Sequence, residues 1–337
     1  MPERFADVRK DGADVFATID DIKAGTPTAF VNDKTFVAIS PRARTLTVDG
    51  VKYYKTDQGY IARTQLSWYS PSSFAGIVLP ASPQPLVGQV LAAWAVPRKP
   101  GSKLRAFTAP SARATVAREV TSRELVTPQT TEAGFAQIAA DTWIDRRDLR
   151  QVVVVPRPAE VGPTERWLDI DLDAQVLTAY EGDRPVFATL VSTGKKKWET
   201  PTGVYRITEK AERRRMRADG PTEQWNVAAV PWTMTFRKNF ALHGTYWHDG
   251  FGRQRSHGCV NLSPADAHRI FAFTTADPEP EGDSKNQRAA AFSAAAAGTT
   301  SPVAMRGTPV QLRRGKEQQP AWRDYKGREL STLVSKR

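Results

Sequence analysis

The sequence predicts a mainly β protein, and three observations carry that prediction. Short alternations of apolar and polar residues recur along the chain, turn residues separate them, and one segment alone has helical spacing. At 337 residues the chain is long enough for two or three globular units. Charged residues make up 25% of it and aromatic residues 9%, which excludes a coiled coil or a disordered chain. No apolar run is long enough to cross a membrane.

Residues 1–80 are predicted to form a small β domain. The stretch from Thr45 to Thr56 alternates around the pair Asp49-Gly50, a combination that strongly favours a β-hairpin. A further strand is predicted from Tyr60 to Leu66.

A second small β domain is predicted at 81–157. Short strands begin near Trp94 and recur at a spacing typical of small β-barrels. Its closing segment, Trp143-Ile144 followed by Arg147-Asp148-Leu149, resembles that of bacterial Src-homology-three-like domains. We therefore expect one or two small barrels of that kind ahead of a linker rich in proline. The linker residues are Pro156, Pro158, Gly162 and Pro163.

The third predicted domain covers 164–314 and opens with a β-meander. The run from Trp167 alternates so that Leu168, Ile170 and Leu172 share one face. Strands that begin at Val176 and Val186 follow tight turns, and further strands continue to His243.

One short helix is predicted after this β-rich run. Ser263 can cap its first turn, Pro264 suits the first helical position, and Ala267 and Ile270 lie at helical spacing. Residues 277–305 are rich in Ala, Gly, Ser and charge, so we expect a flexible insertion there. A last strand ends at Leu312, and 315–337 form a basic tail.

The net charge of +12 is concentrated in two segments. Residues 195–217 hold nine basic and three acidic residues, and residues 311–337 hold eight and three, which gives +6 and +5. The sequence has no zinc-finger spacing, no basic region that leads into heptads and no RNA-recognition signature. We interpret the run Arg213-Arg214-Arg215-Met216-Arg217 as a solvated loop and expect no nucleic-acid partner.

All four histidines lie between His243 and His268, together with the only cysteine, Cys259. One cysteine permits no internal disulfide and no zinc site with several cysteines. Three interpretations of the cluster remain: a cysteine nucleophile activated by an imidazole, a metal site, or structural residues. The spacing fits no standard zinc pattern, so we expect no metal and no other cofactor. The predicted helix after Asn261 would aim free N–H groups toward the site.

The stretch from Ser256 to Asn261, Ser-His-Gly-Cys-Val-Asn, resembles the signature of the L,D-transpeptidase catalytic domain. The upstream pair His243-Gly244 belongs to the same pattern, as do the segment Val191-Ser-Thr-Gly and the turn Thr200-Pro-Thr-Gly. The resemblance extends from about Trp167 to Leu312 and implies the mainly β fold of that domain, with one short helix after the nucleophile.

The resemblance implies a role for each residue that matches the motif. Cys259 would be the nucleophile, and His243 the proton acceptor and donor, oriented by a backbone carbonyl. The backbone of Gly258 and Cys259 would form the oxyanion hole, while Ser256 and His257 shape the site. Tyr246, Trp247 and Asn261 are the candidate substrate-binding residues. His248 is a further candidate near the site, and His268 is expected on the surface.

The implied reaction is acyl transfer between peptidoglycan stem peptides. A thioester formed on Cys259 would pass to a side-chain amine and give a 3–3 cross-link. Transfer to water would make the enzyme an L,D-carboxypeptidase, and the same site could attach a protein to the wall. A wall-binding protein without activity is the alternative from another class.

We expect a monomer in the cell envelope, in the periplasm or outside the cell. Because residues 1–10 hold no apolar stretch of the kind a secretion signal needs, we expect that signal upstream of Met1.

Overall fold

Strands form most of the regular structure of this chain. The computed structural model describes residues 4–40, 42–43, 45–159, 161–220, 224–276 and 307–315, with 323, 326–327 and 329 beyond them. The predicted insertion at 277–305 lies outside the described residues, and so does most of the predicted tail at 315–337. Neither helix of the described part is long and apolar enough to span a bilayer.

We call the part of the chain at 1–80 the first segment. It contributes nine strands, a helix and a 3-10 turn. They are β1 (Arg4–Val8), β2 (Ala13–Val15), α1 (Ile19–Ala24), β3 (Ala29–Val31), β4 (Thr35–Ile39), β5 (Thr45–Val48), β6 (Val51–Lys55), β7 (Tyr60–Ala62), the turn Arg63–Gln65, β8 (Leu66–Tyr69) and β9 (Ile77–Val78). The predicted hairpin is confirmed, because β5 and β6 pair around Asp49 and Gly50, which both have positive φ. The helix α1 was not predicted. Thr18 caps it in a capping box with Asp21, and Gly25 ends it in a left-handed conformation.

We call the part at 81–157 the second segment, and it also consists of β-strands. It contains β10 (Val90–Ala95), β11 (Leu104–Phe107), β12 (Val116–Val120), β13 (Leu125–Val126), β14 (Thr131–Glu132), β15 (Phe135–Ala139), β16 (Thr142–Asp145), the 3-10 turn Arg146–Asp148 and β17 (Leu149–Val153). The strands form a three-stranded sheet, β13-β10-β17, and a five-stranded sheet, β12-β11-β16-β15-β14. Ala93, Leu104 and Ile144 belong to the core of this segment. The strand pairing of the described residues closes no barrel, and the Src-homology-three-like assignment stays a prediction.

We call the part at 164–314 the third segment. It contains the predicted meander and nearly every later element expected from the sequence. Its elements are β18 (Arg166–Asp171), β19 (Val176–Glu181), β20 (Arg184–Leu190), β21 (Gly203–Arg206), β22 (Glu209–Asp219), β23 (Gln224–Arg237), β24 (Phe240–Gly244), β25 (Val260–Leu262), α2 (Pro264–Phe273) and β26 (Pro309–Arg313). The predicted helix is confirmed with Ser263 as its cap. Leu168, Ile170 and Leu172 all face one core, as their alternation predicts.

The prediction of a solvated loop at 213–217 was wrong. These residues lie in the edge strand β22, which pairs along its length with β23. Arg213, Arg215 and Arg217 are exposed, while Arg214 and Met216 are partly covered, so the side chains alternate across the strand. Charged side chains on an edge strand keep it from pairing with another chain, which explains a strand of this composition.

Strands of the first segment extend both sheets of the third segment. One sheet runs β25-β24-β23-β4-β1-β8, with β4 parallel to β23 at the pairs Asn226–Thr35 and Val227–Phe36. The other runs β21-β26-β18-β19-β20-β9, so β9 adds a strand at its edge. The first segment therefore packs directly on the part of the chain that carries the cysteine and histidine cluster.

Candidate active site

Parallel pairing of β24 and β25 places His243 next to the strand that directly follows Cys259. In this register His243 lies opposite Asn261, and Leu242 lies opposite Val260, the residue that follows Cys259. Backbone bonds between Ser192 and Asn261, 2.9 Å each way, hold β25 on its other side. His243 and Cys259 are separated in the sequence by a loop, and the pairing of β24 with β25 brings their two stretches of chain together.

His243 is a buried, neutral imidazole with a defined tautomer. The residue is 3% exposed, and Nδ1 lies 3.0 Å from the carbonyl oxygen of Gly244. A carbonyl only accepts, so the ring proton lies on Nδ1 and the Nε2 lone pair remains available. Burial lowers the pKa of His243 to about 4. At neutral pH the ring is therefore unprotonated at Nε2. The predicted orientation by a backbone carbonyl is present.

The thiol of Cys259 is protonated at neutral pH. Its sulfur donates to the carbonyl oxygen of Asn239 at 3.8 Å. Burial raises the pKa of Cys259 to about 11, and a hydrogen bond from the backbone of Ala241 opposes that shift. The resting arrangement is thus a neutral thiol near a neutral imidazole rather than a preformed ion pair.

A tight turn from Ser256 to Cys259 presents the sulfur. The hydroxyl of Ser256 donates to the Cys259 carbonyl at 2.5 Å and accepts from the Gly258 N–H at 3.0 Å. Gly258 has φ +116°, and a Cβ there would lie 2.6 Å from the ring of Phe240. No residue with a side chain fits that position without movement.

The same bonds correct one prediction about the oxyanion hole. The Gly258 N–H is already engaged by Ser256, so it does not point freely into the site. The Cys259 N–H is the remaining member of the predicted pair.

The turn that begins at Thr200 holds the backbone of the Ser256–Cys259 turn in place. The hydroxyl of Thr200 donates to the Gly258 carbonyl at 2.8 Å and accepts from the Gly194 N–H at 2.9 Å. The backbone of Lys195 donates to the Ser256 carbonyl at 3.1 Å. These contacts explain why both motifs accompany the cysteine signature.

His248 proves to be close to the site. Its Nδ1 accepts from the Gly250 N–H at 3.2 Å, and its Nε2 lies 3.0 Å from the side-chain amide of Asn261. Burial is the largest of the causes that lower the pKa of His248, to about 3, and repulsion from Arg255 adds to it. Asn261 is 3% exposed, so it braces the loop against β25 from a buried position.

The aromatic residues beside His243 divide between core and site. Tyr246 is 1% exposed, stacks on Phe5 with ring centres 3.7 Å apart, and donates its hydroxyl proton to the Ala228 carbonyl. The prediction that Tyr246 lines the substrate wall was therefore wrong, because a residue distant in sequence covers its ring. Trp247 is partly exposed and stacks beside the His243 ring, 5.7 Å away.

Two tryptophans that the sequence did not single out flank His257. The exposed imidazole has Trp198 at 4.6 Å and Trp225 at 6.4 Å between ring centres. Lys195 and Lys197 lie over the Trp198 ring. We call His257, Trp198 and Trp225 the aromatic rim. Its parts come from three separate stretches of chain, so no local pattern could have revealed it.

His268 does not join the site. It is exposed on α2 and packs against Trp232, with ring centres 4.4 Å apart. Among the described residues, no three His, Cys, Asp or Glu side chains are grouped in a way that could hold a metal ion.

Several solved structures resemble part of this chain. An Enterococcus faecium L,D-transpeptidase mutant is 18% identical, with 44% of this chain and 50% of that chain covered and a TM-score of 0.32. An L,D-transpeptidase from Xylanimonas cellulosilytica is 22% identical, with 47% and 63% covered and a TM-score of 0.30. One from Mycobacterium tuberculosis is 14% identical, with 59% and 70% covered and a TM-score of 0.32. This chain thus spans half the length of the Enterococcus faecium protein.

No curated protein matches the chain. Residues 165–312, which contain the meander, the paired strands β24 and β25, and the turn at Cys259, match the model of the YkuD family, described as the L,D-transpeptidase catalytic domain. This segment of the chain is therefore similar to that catalytic domain.

Proposed function

We propose that the chain is a peptidoglycan L,D-transpeptidase that works through a thioester on Cys259. The observation that carries the proposal is the pairing of β24 with β25, which sets His243 beside the turn that presents Cys259. The tautomer of His243 leaves its Nε2 lone pair available as a base.

The first half-reaction transfers the acyl group to sulfur. Nε2 of His243 takes the thiol proton while the sulfur attacks the carbonyl of the third residue, a diamino acid, of a stem tetrapeptide. The bond to the terminal D-Ala then breaks, and His243 returns the proton to the amine that leaves. The products are free D-Ala and a thioester on Cys259.

The second half-reaction resolves the thioester. The side-chain amine of another stem attacks the thioester carbonyl and gives a proton to His243. The new amide forms as the sulfur leaves, and His243 returns that proton to the sulfur. The result is a 3–3 cross-link and the starting thiol. Water in place of the amine would give hydrolysis by the same route.

The resting pKa values determine how the first step proceeds. Burial raises the pKa of the Cys259 thiol and lowers the pKa of the His243 imidazole, so both shifts oppose charge separation between the two groups. A free thiolate–imidazolium pair is therefore a minor species before substrate arrives. We infer that proton transfer accompanies formation of the carbon–sulfur bond, and that the Cys259 N–H stabilises the developing oxyanion.

The surroundings of the sulfur suit a peptide substrate. Trp247 stacks beside the ring of the base. The aromatic rim includes His257, two residues before Cys259, and Lys195 lies over the Trp198 ring of that rim. We propose that these groups contact the stem peptide, whose carboxylates the lysines would attract. Asn261 braces the site from behind. This substrate places the protein in the cell envelope.

Product analysis with the full chain tests the proposal. The purified protein is incubated with a disaccharide tetrapeptide, and the products are separated and weighed by mass spectrometry. We expect free D-Ala and a cross-linked dimer from the native chain, and neither from Cys259→Ala or His243→Gln. Tripeptide alone would identify a carboxypeptidase. Binding to isolated walls with no change in any stem peptide would overturn the proposal in favour of a wall-binding protein.

A further inference from the structure

The loop from 245 to 256, which joins His243 to the turn at Cys259, is held from outside the third segment. Its most prominent contact is the carboxylate of Asp249. Both guanidinium nitrogens of Arg123 donate to it, at 2.5 and 2.6 Å, and the hydroxyl of Ser72 donates to one of its oxygens. Arg123 belongs to the second segment and Ser72 to the first, so one side chain joins three parts of the chain.

The geometry of Arg123 favours this contact. Its backbone has φ +65°, and its N–H donates to the Ala95 carbonyl at 2.6 Å, which fixes the start of the side chain. The guanidinium lies 5.3 Å from the ring centre of Phe74, a residue of the first segment. A two-pronged ion pair set by a fixed backbone positions its partner more narrowly than a flexible surface pair does.

The following residues of the loop rest on the second segment as well. Nε of Arg150 donates to the Gly252 carbonyl at 2.8 Å, and Nε of Arg253 donates to the Pro97 carbonyl at 2.9 Å. A Cβ on Gly252 would lie 3.0 Å from Val96, which shows how closely the loop approaches β10 and its continuation.

Asp249 lies between the two loop residues that reach the site. Before it, His248 places Nε2 against the Asn261 amide. After it, Gly250 donates its N–H to His248 and accepts the Ser192 hydroxyl at 3.0 Å. A shift of Asp249 would move both contacts, and Asn261 lies opposite His243 in the sheet.

We propose that Asp249 is a positioning residue, and that its ion pair with Arg123 makes the reactivity of Cys259 depend on the second segment. The segment at 81–157 is then a working part of the enzyme rather than an attached module. The inference rests on the proposed function insofar as Cys259 is the reacting group.

The chain offers a matched control for the test. Arg157 and Asp183 form an ion pair at 3.0 Å with side chains 23% and 63% exposed, against 25% and 50% for Arg123 and Asp249. No site residue takes part in the Arg157–Asp183 pair. The variants are Asp249→Asn, Arg123→Lys, the exchange Asp249→Arg with Arg123→Asp, and the control Asp183→Asn.

Two measurements on the full chain separate positioning from stability. The first is the rate constant for alkylation of Cys259 by iodoacetamide across pH, which needs no peptide substrate. The second is the release of D-Ala from a stem tetrapeptide, resolved into kcat and KM. Thermal unfolding of each variant identifies a temperature at which every variant is folded.

At that temperature we expect Asp249→Asn to lower kcat about 10- to 100-fold, with KM changed less than about 2-fold. We expect a changed rate or pH profile of alkylation, a smaller effect in Arg123→Lys, partial recovery in the exchange, and native values for Asp183→Asn. Lower stability with native alkylation and native kcat would overturn the inference, even if only Arg123→Lys folds.

If the native chain releases no D-Ala, the proposed function fails. A changed alkylation profile in Asp249→Asn would still support the positioning role, and an unchanged one would refute it.

Discussion

Nε2 of His248 lies 3.0 Å from the side-chain amide of Asn261, thirteen residues away; Asn261 is buried and His248 is partly buried. Asn261 also stands opposite His243 in the parallel strands. The loop between the strands is therefore tied to the sheet at the position of the proposed base.

Asn261→Ala removes that tie. A buried imidazole nitrogen loses its partner, so we expect the free energy of unfolding to fall by about 1–3 kcal/mol. Urea denaturation measures the change. Gln254→Ala, an exposed position in the same loop, is the control and should leave stability unchanged. Equal stabilities for the two variants would show that the contact contributes nothing.

The stability of the protein should depend on pH through His243. Its pKa is about 4 when folded and 6.5 as the ordinary value, so the unfolded chain binds the proton more readily. This contribution to stability is present above pH 6.5 and is lost as the pH falls toward 4. The loss amounts to about 3 kcal/mol. We expect His243→Gln to lose less stability than the native protein over that interval, as measured by urea denaturation at each pH. A His243→Gln curve parallel to that of the native protein would contradict the buried neutral imidazole, and exposed His268→Gln is the control.

Gly258→Ala should be damaging for two separable reasons. The backbone at φ +116° disfavours a side chain by about 1–3 kcal/mol, and the new Cβ also collides with Phe240. Gly88 has φ +87° and open space around it, so Gly88→Ala carries the backbone cost alone. We expect a larger loss of stability in Gly258→Ala, with partial recovery on adding Phe240→Leu. Equal losses for both alanine variants would show that the ring does not constrain the turn.

Arg313 anchors β26 through a buried ion pair. It donates to both oxygens of Asp169, at 2.9 Å each, and to Asp171 at 2.9 Å. Arg313→Met would leave the Asp169 carboxylate buried without its partner, so we expect a loss of about 3–5 kcal/mol in thermal or urea unfolding. The neighbouring Arg314 makes exposed pairs, and Arg314→Met should cost less than about 1 kcal/mol. A similar cost for both variants would argue against a buried pair.

Local patterns in the sequence predicted much of the fold, including the elements that carry His243 and Cys259. The alternation after Trp167 identifies the meander, and Ser263 with Pro264 identifies the start of α2. The His243-Gly244 pair lies at the end of β24, and the short motif around Cys259 leads into β25. In each case the signal lies within a few neighbouring residues.

Features that depend on distant pairing were not predictable. The charged run at 213–217 becomes a strand because β23 lies beside it, and Tyr246 is buried because Phe5 covers it. The pairing of Thr35 with Asn226, like the contact of Arg123 with Asp249, joins residues far apart in the chain. The helix α1 is too short for a periodic signal, although its capping box was readable from Thr18 and Asp21.

We propose that Cys259 forms an acyl-enzyme with His243 as its base, and intact-mass spectrometry is the sharpest test of this proposal. A carbapenem, whose strained carbonyl acylates nucleophiles, is mixed with the native chain, Cys259→Ala and His243→Gln. We expect one added carbapenem mass on the native chain, located at Cys259 by peptide mapping. We expect none on Cys259→Ala and a rate about 10²- to 10⁴-fold lower for His243→Gln. An adduct on Cys259→Ala, or none on the folded native chain, would contradict it.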